Sequence, residues 1–322
     1  MGPSARLSLR HALALGLAHG PTELLPISSS AHTILIPLLA GWPYGELDPE
    51  LRKSFEVALH AGTAAALLVD LRSVESHPAL GAALQRLAPP RPGRSGSDHP
   101  ASAVPGQAMA PADFSARQAL LVALSFIPPA VIGYTFEQPL QRRLSGPTTI
   151  VAGLLLGGAA MALTDVRVPD GTRTLEQASA LDGLLFGLAQ TLALIPGVSR
   201  SGAVLTAARA RGFSRSDSHT LARRTGLPVI LGAGALKTGH LLQDRAAGGT
   251  PISGESALLL GGGASFLSTL AATRLLRRAR HAQPAPALLP YALYRGLLAS
   301  LVIRRRCSLS NSAHTPPAPS AQ

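Results

Sequence analysis

Residues 119–136, 144–164, 183–199 and 256–273 contain no charged side chain, and each comes near the ~20 residues that cross ~30 Å of hydrocarbon. A chain with four such runs is restricted to folds that satisfy the backbone internally, because lipid offers no hydrogen-bond partners. Only 14% of the residues are charged, against roughly 25% in soluble domains. The reading is an all-α polytopic membrane protein. Residues 54–69, 225–236 and 288–303 are weaker candidate spans, being shorter or interrupted by charge. The N-terminus lacks a clean apolar core followed by a small-residue cleavage site, so the first apolar segment is expected to remain in the protein.

The net charge of +12 is unevenly placed. Residues 72–117 carry five Arg against Glu75, Asp98 and Asp113; residues 209–224 carry five Arg against Asp217; residues 274–280 carry four Arg and no acid. Positive charge confined to the connections between apolar runs fits the positive-inside rule, which assigns these three stretches to the cytoplasm. A nucleic-acid partner is disfavoured, because the basic groups are separated by spans and no aromatic platform accompanies them. The single Cys307 forms no internal disulfide, so redox compartment is not readable from it.

Two polar knots interrupt the apolar pattern. The first runs from Gly20 to His32 and contains Glu23, Ser28, Ser29, Ser30 and His32; the second runs from Leu194 to Gly202 and contains Ser199, Arg200 and Ser201. An acid inside an apolar segment is expensive and by default functional. Arg200 offers phosphate a rigid bidentate fork that stays charged in a low dielectric. Ser199, Ser201 and the amides following Gly197 are placed to complete an anion cradle. The two knots read as halves of one phosphate-binding site.

Crossing numbers add a constraint. The segment 183–206 must begin and end on the cytoplasmic side, which in so few residues requires a re-entrant hairpin with its tip at Pro196 and Gly197. Irregular backbone at membrane depth is tolerated where protein or a wet cavity surrounds it. The proline-interrupted Glu23–Ser30 region reads as a second such hairpin. At an offset of 171 positions, Gly16, Leu17 and Ala18 match Gly187, Leu188 and Ala189, Ser28 matches Ser199, and Ser30 matches Ser201. An odd number of spans between the copies gives them opposite orientations, the inverted repeat built around broken helices. About six transmembrane helices plus two re-entrant hairpins follow, with both termini outside. Arg6, Arg10, Arg304, Arg305 and Arg306 count against that placement. The chain is expected to form one membrane domain over 1–303, with a disordered cytoplasmic loop at 89–111 and a disordered tail at 304–322.

These residues carry a resemblance. The Thr-Glu-Leu-Leu-Pro-Ile-Ser-Ser-Ser-Ala-His run at 22–32, the Phe-Glu-Val-Ala-Leu-His-Ala-Gly-Thr run at 55–63, the Ile-Pro-Gly-Val-Ser-Arg-Ser-Gly run at 195–202 and the Pro-Tyr-Ala-Leu-Tyr-Arg run at 290–295 are similar to the bacterial undecaprenyl-diphosphatase family. These BacA-type integral-membrane enzymes confer bacitracin resistance. The resemblance covers roughly residues 8–303. It implies hydrolysis of the C55 isoprenyl diphosphate to the monophosphate carrier of peptidoglycan synthesis, in the inner membrane, at a site opening to the outer face. The partners it implies are the prenyl diphosphate and the bilayer, and it leaves room for a homodimer.

Within that frame Glu23 holds a divalent cation, Mg²⁺ or Ca²⁺, against the diphosphate oxygens, since hard cations take oxygen ligands. The resemblance favours Ser29 as nucleophile or phosphate contact. Ser28 and Ser30 either bind substrate or cap broken backbone. His32, three residues beyond Ser29, is placed to act as general base or leaving-group acid; direct attack by water activated by His32 is equally economical. Glu56 and His60 share a helix face and are balanced between a supporting and a structural role. Tyr294 and Arg295 stay outside the catalytic set. One departure stands out: His19 occupies a position where the family usually has Glu or Gln. It is either an imidazole ligand, poorly suited to Mg²⁺ or Ca²⁺, or a partner for Glu23 one turn on. The rival from another class is a lipid transporter or flippase, because inverted repeats with broken helices also build transporters.

Overall fold

The computed structural model describes residues 6–75, 116–144, 146–168, 171–246, 254–282 and 285–313. Within them lie ten α-helices: α1 (Leu9–Leu24), α2 (Ser29–Ala40), α3 (Pro49–Glu75), α4 (Ala116–Leu144), α5 (Pro147–Arg167), α6 (Ala180–Thr191), α7 (Arg200–Ala210), α8 (Arg215–Ala246), α9 (Glu255–Ala282) and α10 (Leu289–Ala313). No β-strand occurs among the described residues; an isolated bridge joins Arg173 to Phe213. The expected disordered loop at 89–111 lies outside the described residues. The tail expected to be disordered from residue 304 instead continues α10 to Ala313.

Among the described residues three helices are long and apolar enough to cross a membrane: Ala116–Phe136, Pro147–Arg167 and Glu255–Ala279. The weaker candidate spans at 54–69 and 225–236 fall inside α3 and α8, and the one at 288–303 begins one residue before α10. The fourth charge-free run, 183–199, is not one helix. It is helical to Thr191, passes through a 3₁₀ turn at Leu192–Leu194, and is irregular from Ile195 to Ser199 before α7 begins. The first knot behaves alike, with α1 ending at Leu24 and α2 starting at Ser29.

Serine caps set the starts of α1 and α6. Ser8 Oγ accepts from His11 N at 3.2 Å and starts α1. Ser179 Oγ accepts from Asp182 N, while the Asp182 carboxylate accepts from Ser179 N at 2.9 Å, closing a capping box at the start of α6. Leu9 and Ala180, the first residues of α1 and α6, are 171 positions apart, and so are Ser29 and Arg200, the first residues of α2 and α7.

Packing crosses between the two halves of the sequence. Helix α1 lies along α9, which also packs on α3; helix α6 lies along α4, which also packs on α8. Helices α5 and α10 pair, and α3 meets α8. Leu9, Leu13 and Leu17 on α1, Leu181, Leu184 and Leu188 on α6, and Leu293, Leu297 and Leu301 on α10 form exposed apolar stripes at three- and four-residue spacing. A stripe of that kind on the outside of a bundle suits lipid and is costly in water.

Candidate active site

The two knots meet in the interior. Ser201 Oγ donates to Leu25 O at 3.2 Å, and an Arg200 nitrogen, Nη2, sits 3.6 Å from Glu23 Oε1. Ser29 Oγ donates to the other Glu23 oxygen, Oε2, at 2.5 Å. Glu23, Ser29 and Arg200 therefore form one constellation, an acid, a hydroxyl and a guanidinium, drawn from α1 and the N-termini of α2 and α7.

The guanidinium is incompletely used. Arg200 Nη1 is buried and has no hydrogen-bond partner. Helix α8 approaches it so closely at Gly226 that a Cβ there would collide with Nη1. A buried donor without an acceptor costs free energy on the scale of ~1–3 kcal/mol, a cost that an anionic ligand removes.

The serines pair within each knot. Ser28 Oγ and Ser30 Oγ are 3.2 Å apart, and Ser199 Oγ and Ser201 Oγ are also 3.2 Å apart. Ser199 caps α7 by accepting from Gly202 N at 3.2 Å, whereas Ser28 makes no side-chain cap bond. Ser28 instead holds φ at 73°, a left-handed conformation uncommon for a residue with a side chain. His32 anchors it. His32 Nδ1 donates to Ser28 O at 2.7 Å, which leaves Nε2 to accept from the Tyr294 hydroxyl at 2.7 Å.

His32 thus has both ring nitrogens engaged and makes no hydrogen bond to Ser29. The group in contact with the Ser29 hydroxyl is Glu23. Tyr294 and Arg295, set aside on sequence grounds, both reach the site. Arg295 is buried and donates to the carbonyls of Leu154, Gly153, Gly197 and Pro26 at 3.2, 3.0, 2.9 and 3.4 Å. Pro26 and Gly197 belong to the two broken segments, so one side chain ties both together. Gly197 has φ +96°, and a Cβ there would strike the Ile150 carbonyl. The link from Tyr294 to His32 spans 262 positions; its signs in sequence are an Arg inside an apolar helix and the Pro-Tyr-Ala-Leu-Tyr-Arg run at 290–295.

On the metal question the structure adds a residue. His19, Glu23 and His60 each place one ligand atom within 4.8 Å of the others. His19 is 2% exposed and neither ring nitrogen has a hydrogen-bond partner, so it does not pair with Glu23 through a hydrogen bond. His60, on α3, packs edge-on against His19 with ring centroids 4.8 Å apart. Two imidazoles and one carboxylate fit a divalent cation of the borderline class; Mg²⁺ and Ca²⁺, which take oxygen shells, do not match this donor set.

Away from the membrane interior, Asp182 organises the loops beside the second knot. Its carboxylate accepts from Arg173 Nη2 at 2.8 Å and from Arg211 Nε at 2.8 Å. Burial alone would raise its pKa, but these bonds and those from Ser179 outweigh it and hold the carboxyl well below the ordinary range. Arg173 also covers the Phe213 ring, 4.2 Å from its centroid.

Comparison with known proteins identifies the family. The family model described as bacitracin resistance protein BacA fits residues 12–301, which include both knots and Arg295. An undecaprenyl-diphosphatase of Geobacter sulfurreducens is 35% identical over 303 residues, 92% of this chain and 98% of that protein. One of Chromohalobacter salexigens is 32% identical over 297 residues, covering 91% and 97%, and one of Trichlorobacter lovleyi is 37% identical over 240 residues, covering 74% and 77%. The resemblance carried by the motifs thus extends along nearly the whole chain, and the chain belongs to the BacA family.

Proposed function

We propose that this chain hydrolyses undecaprenyl diphosphate to undecaprenyl phosphate and inorganic phosphate within a bacterial membrane, regenerating the lipid carrier for peptidoglycan synthesis and so lowering sensitivity to bacitracin. The observation that carries this reading is Arg200, whose buried Nη1 lacks an acceptor while Nη2 faces a carboxylate already bonded to a serine hydroxyl.

The chemistry follows from those three groups. Arg200 receives the terminal phosphoryl oxygens and stabilises the charge that shifts onto them and the bridging oxygen. The Ser28–Ser30 pair supplies one further donor, while Ser199 and Ser201, whose protons are engaged at Ser201 Oγ and Leu25 O, reach the phosphate as donors only by giving up those bonds. The Ser29 Oγ attacks the terminal phosphorus as its proton passes to Glu23 Oε2, and the bond to the bridging oxygen breaks, releasing undecaprenyl phosphate. Water then attacks the phosphoserine, and Ser29 recovers its proton from Glu23 as phosphate leaves. Here Glu23 takes the base role expected of His32, which instead fixes the strained Ser28. A divalent cation held by Glu23 would add positive charge against the diphosphate oxygens. Direct attack by a water bonded to Glu23 is the variant without the phosphoserine.

The finer topology belongs to the same reading. Six crossings and two re-entrant hairpins, α1–α2 and α6–α7, form an inverted repeat, with the site open to the outer face. Support comes from the 171-residue spacing of helix starts and from the reciprocal packing of α1 on α9 and α6 on α4. Purified protein in detergent should release inorganic phosphate from undecaprenyl diphosphate; movement of lipid across vesicles without phosphate release would instead establish the transporter.

A further inference from the structure

We propose that His19, Glu23 and His60 form a nitrogen-rich cation site selective for a borderline transition ion of the Zn²⁺ and Co²⁺ class over Mg²⁺ and Ca²⁺. The inference concerns the site read above as a phosphatase centre, but ion binding is measurable without turnover.

Four observations carry it. His19 and Glu23 stand one helical turn apart on α1 and project the same way. His19 is buried with both ring nitrogens unpartnered, a state that wastes two polar atoms unless a ligand engages one of them. His60 already has the arrangement of a metal ligand, because its Nδ1 donates to Glu56 O at 2.8 Å and so leaves the Nε2 lone pair available. The three ligand atoms lie within 4.8 Å of one another, and small rotamer changes bring such atoms to the ~3.4 Å edge of a tetrahedron with bonds of ~2.1 Å.

Charge and donor type choose the ion. The carboxylates of Glu23 and Glu56 are offset by Arg200 and by Lys237, which acts electrostatically on both imidazoles. A hard cation held by charge alone finds no excess of negative charge there. Imidazole nitrogen binds Co²⁺ and Zn²⁺ far better than Mg²⁺, and two His with one Glu is a donor set of catalytic zinc sites, which keep the remaining position open to water or substrate. A phosphoryl oxygen fits that open position.

The test uses full-length protein without a histidine tag, stripped with chelator in detergent and titrated with Co²⁺. One equivalent should bind and give visible d–d bands, which Zn²⁺ erases and a thousandfold excess of Mg²⁺ leaves in place. His60→Gln and His19→Gln should each weaken Co²⁺ binding by more than about 100-fold, beyond the loss from a missing second-shell partner. X-ray absorption of the Zn²⁺-loaded wild type, which depends on no variant, should show imidazole scattering. Absence of Co²⁺ binding, an all-oxygen shell, or equal competition by Mg²⁺ would overturn the proposal. Phosphate release by protein that binds no Co²⁺ would end this inference and leave the phosphatase reading standing; Co²⁺ binding without phosphate release would do the reverse.

Discussion

Arg295 donates from Nη2 to the carbonyl of Gly197 at 2.9 Å. With the bond from Nη1 to Pro26 O, this joins the tips of two segments that lie far apart in the chain. A guanidinium spreads several bonds over a fork that an ammonium cannot copy. Arg295→Lys should therefore lower the melting temperature, by a destabilisation on the order of 2–3 kcal/mol for lost charged hydrogen bonds, and reduce kcat together with it. Unchanged thermal unfolding in Arg295→Lys would remove the clamp.

Arg200→Lys should behave differently. Charge is retained and the fork is lost at the phosphoryl group, so turnover should fall about 10²-fold, equivalent to ~3 kcal/mol of transition-state stabilisation. Melting temperature should stay near wild type. Phosphate release per folded molecule, measured beside thermal stability, separates this from a structural role.

Ser29→Ala should abolish phosphate release if Ser29 Oγ attacks phosphorus. Acid-quenched wild type incubated with terminally labelled substrate should carry label on Ser29. Label absent from the protein, with activity surviving in Ser29→Ala, selects the water variant.

Loop geometry makes topology testable. Arg173 N donates to Gly212 O at 3.0 Å and Ser214 N donates to Arg173 O at 3.0 Å, so the connections on either side of the α6–α7 hairpin touch. Glu176→Cys and Ser216→Cys, each in a Cys307→Ser background, should label from one side of the membrane with an impermeant reagent. Labelling from opposite sides would eliminate the re-entrant hairpin.

Asp182 gives a pH dependence. Its pKa is depressed in the folded protein, so its stabilisation is complete above the unfolded value of about 4 and is lost as pH falls through the folded value. Thermal stability of wild type should decline on acidification below pH ~4, and Asp182→Asn should be less stable at neutral pH with a flatter acid profile.

The parts legible in sequence were those where polar groups interrupt apolar runs. Glu23, Ser29 and Arg200 stood out for that reason, and Pro196 with Gly197 marked where the run 183–199 stops being helical. His60 and Tyr294 were not assignable, because a histidine or tyrosine on a helix face looks the same whether it meets lipid, packing or a site 262 positions away. The left-handed Ser28 was invisible for a related reason: its conformation is imposed by His32 and by packing, and no glycine announces it. Spacing placed His32 near Ser29, yet α2 turns its ring to Ser28 O and Tyr294.

The pairing of α1 with α9 and of α6 with α4 also bears on biosynthesis. During translation α1 is made while its long-term neighbour α9, more than two hundred residues later in the chain, does not yet exist. The carboxylate of Glu23 has no counter-charge until Arg200 is made and no finished surroundings until α9 follows, and must meanwhile be accommodated by water or by the insertion machinery. Neither half is a separate folding unit, so the reactive centre is completed only near the end of synthesis, and a prematurely terminated chain leaves its acid and serines in place without the groups that activate them.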